Sequence, residues 1–226
     1  MKKSIAGILL SALTLAAQGA PVISTAFQTN GTANLPHTFQ PLANDLINGL
    51  AATNVLGTFT QEMTGGTPVL TNGLFPSPLT RGVGTEFQFA GFATGGNGGG
   101  TSLTFTLATA TVVTQIDVYG AWQDGGRDQQ AYSIFYSTAL APTTFVLLTN
   151  VDFNPPDPAG MPQATRVRIT DSLGALATNV KSLRFDFGNT ENGYSGYAEI
   201  DVIPEPGVMG MLGVAVLGLL GRRRRR

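Results

Sequence analysis

The sequence predicts an all-β protein, an antiparallel β-sandwich of jelly-roll type, flanked by an N-terminal signal helix and a short C-terminal transmembrane helix. Three observations lead there. Between the two ends, apolar residues recur at every second position, and almost no helical periodicity is present. Gly, Pro, Asn and Asp punctuate the apolar runs as turn residues. Hydrophobic residues make up 42% of the chain and charged ones only 12%, so a core can be buried.

Phe87 and Phe89 mark the first predicted strand. Leu103, Phe105 and Leu107 then alternate with Thr104 and Thr106, and Val112, Ile116 and Val118 with Gln115, Asp117 and Tyr119. Tyr132, Ile134 and Tyr136 form the next run, followed by Phe145–Leu148. Val167 and Ile169 alternate with Arg166 and Arg168; Leu183, Phe185 and Phe187 with Arg184 and Asp186. Last, Ala198, Ile200 and Val202 alternate with Tyr197, Glu199 and Asp201. Period two with one apolar face suits half-buried antiparallel strands. About eight short strands of this kind close into a sandwich. Residues 94–100 and 154–158 read as surface loops. The chain has no cysteine, so a single domain over residues 20–203 relies on packing, or on a bound metal, rather than on disulfides.

The ends differ from this body. Lys2 and Lys3 precede the apolar run Ile5–Ala17, and Ala17-Gln18-Gly19 follows. This is the order of a secretory signal peptide, predicted over residues 1–19 and cut after Gly19 by signal peptidase once the Sec translocon has exported the chain. At the other end, Pro204-Glu205-Pro206 precedes a 13-residue apolar run over residues 208–220, and Arg222 to Arg226 close the sequence. A spanning helix normally needs about 20 apolar residues, so this one is a marginal permanent anchor. The arginines hold to the cytoplasmic side and leave the body outside.

This order of Pro-Glu-Pro, short apolar helix and basic cluster resembles the PEP-CTERM sorting signal, over residues 204–226. The resemblance implies a Gram-negative bacterium, transient anchoring in the inner membrane, and processing near Pro204, Glu205 and Pro206. The processing enzyme would be an exosortase, a membrane cysteine transpeptidase-like enzyme. It also implies association with extracellular polysaccharide. The alternative is a plain anchor that is never cut.

Charge narrows the partners. Seven of the 13 basic residues lie at the two extremes, so six stand against 14 acidic ones in between, leaving the body near −8. Such a body repels nucleic acid.

Four segments carry a second resemblance: Ile116–Gly120, Gln130–Ser137, Val180–Phe187 and Gly196–Val202, preceded by Asn44–Gly49. In this order they resemble the galactose-binding-like jelly roll of discoidin and coagulation-factor type C domains, without that family's paired cysteines. The resemblance implies a structural calcium between the early loop and the last strand. Asp45, Asn48, Thr53 and Glu199 would be its oxygen donors, a hard ligand set that suits calcium.

Catalytic motifs are lacking. His37 is the only histidine, and no G-x-S-x-G is present. A two-carboxylate hydrolase would draw on Asp124, Asp128, Glu191 and Glu199, but no spacing selects a pair. The loop Trp122–Gln130 holds the only tryptophan together with Asp124, Arg127 and Asp128, and Tyr194 lies in a second loop. Aromatic faces stack on sugar rings while Asp, Arg and Gln bond the hydroxyls, so these five residues form the candidate ligand site. The other reading of Trp122 is a buried core residue. The expectation is therefore a non-catalytic protein of the cell surface or extracellular matrix, one that binds polysaccharide. The rivals are a structural or adhesive matrix protein without a sugar site and a small secreted glycan hydrolase.

Overall fold

The computed structural model describes residues 19–206, apart from residues 83–87, 93–100, 125, 157–159, 189–190 and 192. The predicted signal helix and the apolar helix of the tail lie outside the described residues. Among the described residues eleven strands run β1 (Pro21–Gln28), β2 (Asn34–Leu35), β3 (Asn54–Leu56), β4 (Leu79–Thr80), β5 (Ala90–Phe92), β6 (Thr101–Trp122), β7 (Gln130–Thr138), β8 (Ala141–Phe153), β9 (Gln163–Asp171), β10 (Ala177–Phe187) and β11 (Ser195–Pro204). Two 3-10 turns, Gln61–Met63 and Thr67–Thr71, are the helical elements that precede the long strands.

The pairings are all antiparallel and build a sandwich around β6, which serves both layers. Its first half pairs with β3 and β10, and β10 continues to β7 and β8. Its second half pairs with β9 and β11, whose outer partners are β1 and β5. Two strands expected over 103–107 and 112–119 are thus one 22-residue strand. Between them it turns a corner: the register against β10 jumps between Ser182↔Thr106 and Ala177↔Val113, and the ladder resumes in the other sheet. Bulges of this kind bend a strand and raise its twist.

One core fills the space between the layers. Leu103, Phe105, Ile134 and Phe185 face Ile116, Val167, Ile200 and Val202 across it, all at most 1% exposed. A second apolar cluster covers the far face of the β9–β6–β11 layer, where segments around Leu35, Phe39, Phe75 and Leu79 pack on Tyr119, Ala121 and Trp122. That layer is buried on both faces, so β11 has no exposed residue along its length. β1 was not legible in the sequence because it is an edge strand whose Val22 and Ile23, 49% and 40% exposed, do not alternate with polar residues.

The layers give the molecule two distinct ends. Trp122, Gln130, Phe153, Gln163, Phe187 and Ser195 end or start their strands at one of them, so the loops between them gather there. Tyr197 of β11 packs on Tyr132 and Phe187 at that end, which fixes one layer over the other. At the opposite end Pro21 pairs with Asp171 and Pro204 with Val113. β11 runs through Pro204, so the domain boundary expected at residue 203 falls inside the last strand.

Candidate functional site

Two groups of side chains combine burial with chemistry. The first lies on the outer face of β11, where the alternation Glu199-Ile200-Asp201 turns both carboxylates away from the core. The segment carrying Asp45 passes over them. Three carboxylates meet there, their oxygens within 4.8 Å of one another: Asp45, Glu199 and Asp201.

Each is held by one oxygen. Asp45 Oδ1 accepts the N–H groups of Val202 (2.7 Å) and Ile47 (3.0 Å). Glu199 Oε2 accepts the N–H of Gly73 (3.1 Å), and Asp201 Oδ2 that of Leu42 (2.7 Å). The remaining oxygens, Asp45 Oδ2, Glu199 Oε1 and Asp201 Oδ1, are buried and accept no hydrogen bond. Among the described residues none of the three carboxylates is ion-paired. Burial, reinforced by mutual repulsion, pushes Glu199 up to about 8 and Asp201 to about 7; burial raises Asp45 to about 6. A buried acceptor without a donor costs free energy, and three that converge fit a hard cation with oxygen ligands.

Asp117 supplies the contrast. It lies directly opposite Asp201 on β6 and is fully buried. Arg168, its cross-strand neighbour on β9, answers its charge with a two-pronged contact, Nε to Oδ1 at 2.9 Å and Nη2 to Oδ2 at 2.7 Å.

Of the four expected calcium donors, the fold brings Asp45 and Glu199 together. Asn48 is exposed, its amide beside Gly73, the residue that holds Glu199. Thr53 is elsewhere: its N–H and hydroxyl bond to Thr104 O, and its hydroxyl also meets Thr106, in the other layer. Asp201 is the third carboxylate beside Asp45 and Glu199. The signal was available, since Glu199 and Asp201 are two apart on one strand.

The second group lies at the loop end. The Arg127 guanidinium is stacked between the rings of Trp122 (4.5 Å) and Tyr194 (4.3 Å) and is ion-paired with Glu62. Trp122 is 2% exposed and packs on Phe89. Its ring therefore has no free face for a sugar, which corrects its placement as a stacking platform: the tryptophan is core, and Arg127 covers it. Beneath, Glu191 Oε2 accepts the N–H groups of Asp128 and Gln129, both at 3.2 Å. Gln163 Nε2 donates to Asp128 Oδ2. Burial, then the hydrogen bond to Glu191, pushes the Asp128 carboxyl well above the carboxylate range. Asp124 caps its own turn through Gly126 N–H (3.2 Å) and, like Tyr194, remains partly exposed.

Asp128 and Glu191 do not have the geometry of a glycosidase pair. Glycosidase carboxyls stand roughly 5–9.5 Å apart across an open cleft. Asp128 and Glu191 are hydrogen-bonded to each other, and Asp128 is 1% exposed. His37 is 5% exposed, packed on Phe75, with Nε2 against Pro76 O and its pKa lowered by burial.

Residues 202–226 match the PEP-CTERM protein-sorting motif, which marks an exported protein handled by an exosortase. No curated protein matches the chain. Among solved structures, the family 32 carbohydrate-binding module of Streptococcus pneumoniae EndoD is similar, with 13% identity and a TM-score of 0.48 over 71% of this chain and 99% of that one. A lectin binding domain of Lectinolysin complexed with Lewis b follows at 11% identity and 0.46, over 74% and 99%. An F5/8 type C domain from Bacteroides fragilis follows at 16% and 0.36, over 52% and 74%.

Proposed function

We propose that this chain is an exported, non-catalytic β-sandwich that acts at the cell surface or in the extracellular matrix by binding polysaccharide at its loop end. The Sec pathway exports it, signal peptidase cuts after Gly19, the segment 208–220 holds it briefly in the inner membrane, and an exosortase removes the tail. One observation carries this reading. β11 runs from the loop bearing Tyr194 to Pro204, so the polar loop end points away from the end that leads into the sorting motif. Arg127, Tyr194 and Asp124 are its sugar-facing groups, with Trp122 as the buried base on which Arg127 rests.

Calcium belongs to the same proposal as a structural ion. Asp45, Glu199 and Asp201 would hold it, with Asn48 at the rim. Bound there, it supplies the positive charge that these carboxylates lack and ties the Asp45 segment to β11.

A structural or adhesive role has its own support: Val22, Ile23 and Phe27 on β1, and Val146 and Leu147 on β8, leave apolar side chains exposed on edge strands. Affinity electrophoresis through gels of the organism's own matrix polysaccharide separates the two. Binding weakened about tenfold by Tyr194→Ala and Arg127→Gln supports the sugar site. Absence of retardation in every gel leaves the adhesive role.

A further inference from the structure

The sorting motif and the folded domain overlap. Pro204, the first residue of Pro-Glu-Pro, is the last residue of β11 and pairs with Val113 of β6. The Thr114 hydroxyl donates to the carbonyls of Ile203 (3.3 Å) and Pro204 (3.2 Å). Glu205 N–H donates to Val112 O at 3.1 Å. On the other side of β11, Leu46 N–H donates to Val202 O at 2.8 Å and Val202 N–H to Asp45 Oδ1. Ile203 and Pro204 are half-buried, whereas the side chains of Glu205 and Pro206 are exposed. The peptide bond Pro204–Glu205 is thus held at both its carbonyl and its N–H.

We propose that the folded domain sets where its own tail is cut: bonds up to and including Pro204–Glu205 are withheld, and processing falls on the C-terminal side of Glu205. A protease takes its substrate as an extended strand whose backbone groups are free to pair with the enzyme. The backbone of this chain is committed to β6 and to the Asp45 segment as far as Glu205 N–H. Cutting earlier would require the end of β11 to peel from β6, and that would also loosen the strand bearing Glu199 and Asp201. In the cut itself the peptide C–N bond breaks. The carbonyl carbon ends on the oxygen of water or the nitrogen of an acceptor amine, and the departing tail's new amine takes the proton. The mature protein then keeps β11 whole. The proposal rests on exosortase processing of the motif, and its test separates the two.

The full chain, expressed in cells with their exosortase, is analysed by mass spectrometry of the mature C-terminus. A terminus at Glu205 or beyond is expected. A terminus at Pro204, Ile203 or earlier overturns the proposal while leaving processing intact; a chain still ending in Arg226 overturns processing, and the proposal with it. Hydrogen exchange of the unprocessed chain gives a second reading. The amides of Ile203 and Glu205 should exchange at least about tenfold more slowly than in a free peptide of the same sequence. Equal rates overturn the proposal. Thr114→Ala, which keeps the strand but removes the hydroxyl, should speed exchange at Glu205 several-fold and yield a fraction of termini at Pro204; an unchanged rate at Glu205 counts against the clamp.

Discussion

Asp117 and Asp201 face each other across adjacent strands, equally buried, yet the fold treats them differently. Asp117 receives a guanidinium from Arg168. Asp201 receives one backbone N–H, the Tyr119 hydroxyl alongside, and two further carboxylates, Asp45 and Glu199, but no cation. The loop end provides a third solution: Asp128 is kept neutral and bonds to Glu191, so no counter-charge is needed. A buried carboxylate can be paired, protonated or left for an ion. The cradle on β11 is the one place among the described residues where three carboxylates converge with an oxygen each that lacks a donor. Self-sufficient sites are structural; the incomplete one is where an outside ion fits.

Removing the internal cation should have the largest effect. Arg168→Met leaves Asp117 charged and buried beside Asp201, at a cost of about 3 kcal/mol in urea unfolding, on the low side for a buried pair because Arg168 is partly exposed. The external cation comes next. Calcium at 100 times its Kd should stabilise the domain by about 2.7 kcal/mol, read as a rise in Tm. Asp201→Asn should abolish that rise. In chelator the same substitution should be neutral or stabilising, since it relieves repulsion; a loss of stability in chelator would mean that the cradle is already complete.

The raised Asp128 carboxyl predicts a smaller, pH-dependent effect, best measured at saturating calcium. A carboxyl whose pKa is raised on folding binds its proton more tightly in the native state. Its contribution is full below the ordinary carboxylate range, about 4, and is lost as pH rises towards the raised value. Stability should therefore fall across neutral pH by at most about 1.4 kcal/mol per unit, and Asp128→Asn should flatten that slope. Smallest of all, Glu62→Gln removes the partly exposed partner of Arg127 and should change stability by less than about 1 kcal/mol, since the guanidinium keeps its contacts with the Trp122 and Tyr194 rings.

Much of the fold was legible. The alternations at 132–136, 166–169, 183–187 and 197–202 are strands where period two placed them. The site was legible in part. Asp45 and Glu199 were named through a family resemblance, whereas Asp201 needed the cross-strand register to show that it shares their cradle. Trp122 reads as platform or core in sequence, with core favoured, because its neighbours Phe89 and Arg127 come from separate segments and only packing brings them onto its faces.

By itself the sequence determined the sorting motif, whose meaning lies in the linear order of proline, apolar run and charge, and the strand faces, because alternation is local. The tertiary structure alone decided that β6 turns between two layers, that Glu62 meets Arg127, and that Asp201 rather than Thr53 joins Asp45. It also decided that Pro204 and Glu205 are held by β6. Each of these depends on register between distant segments, and a slip of one residue would turn every side chain of a strand to the opposite face.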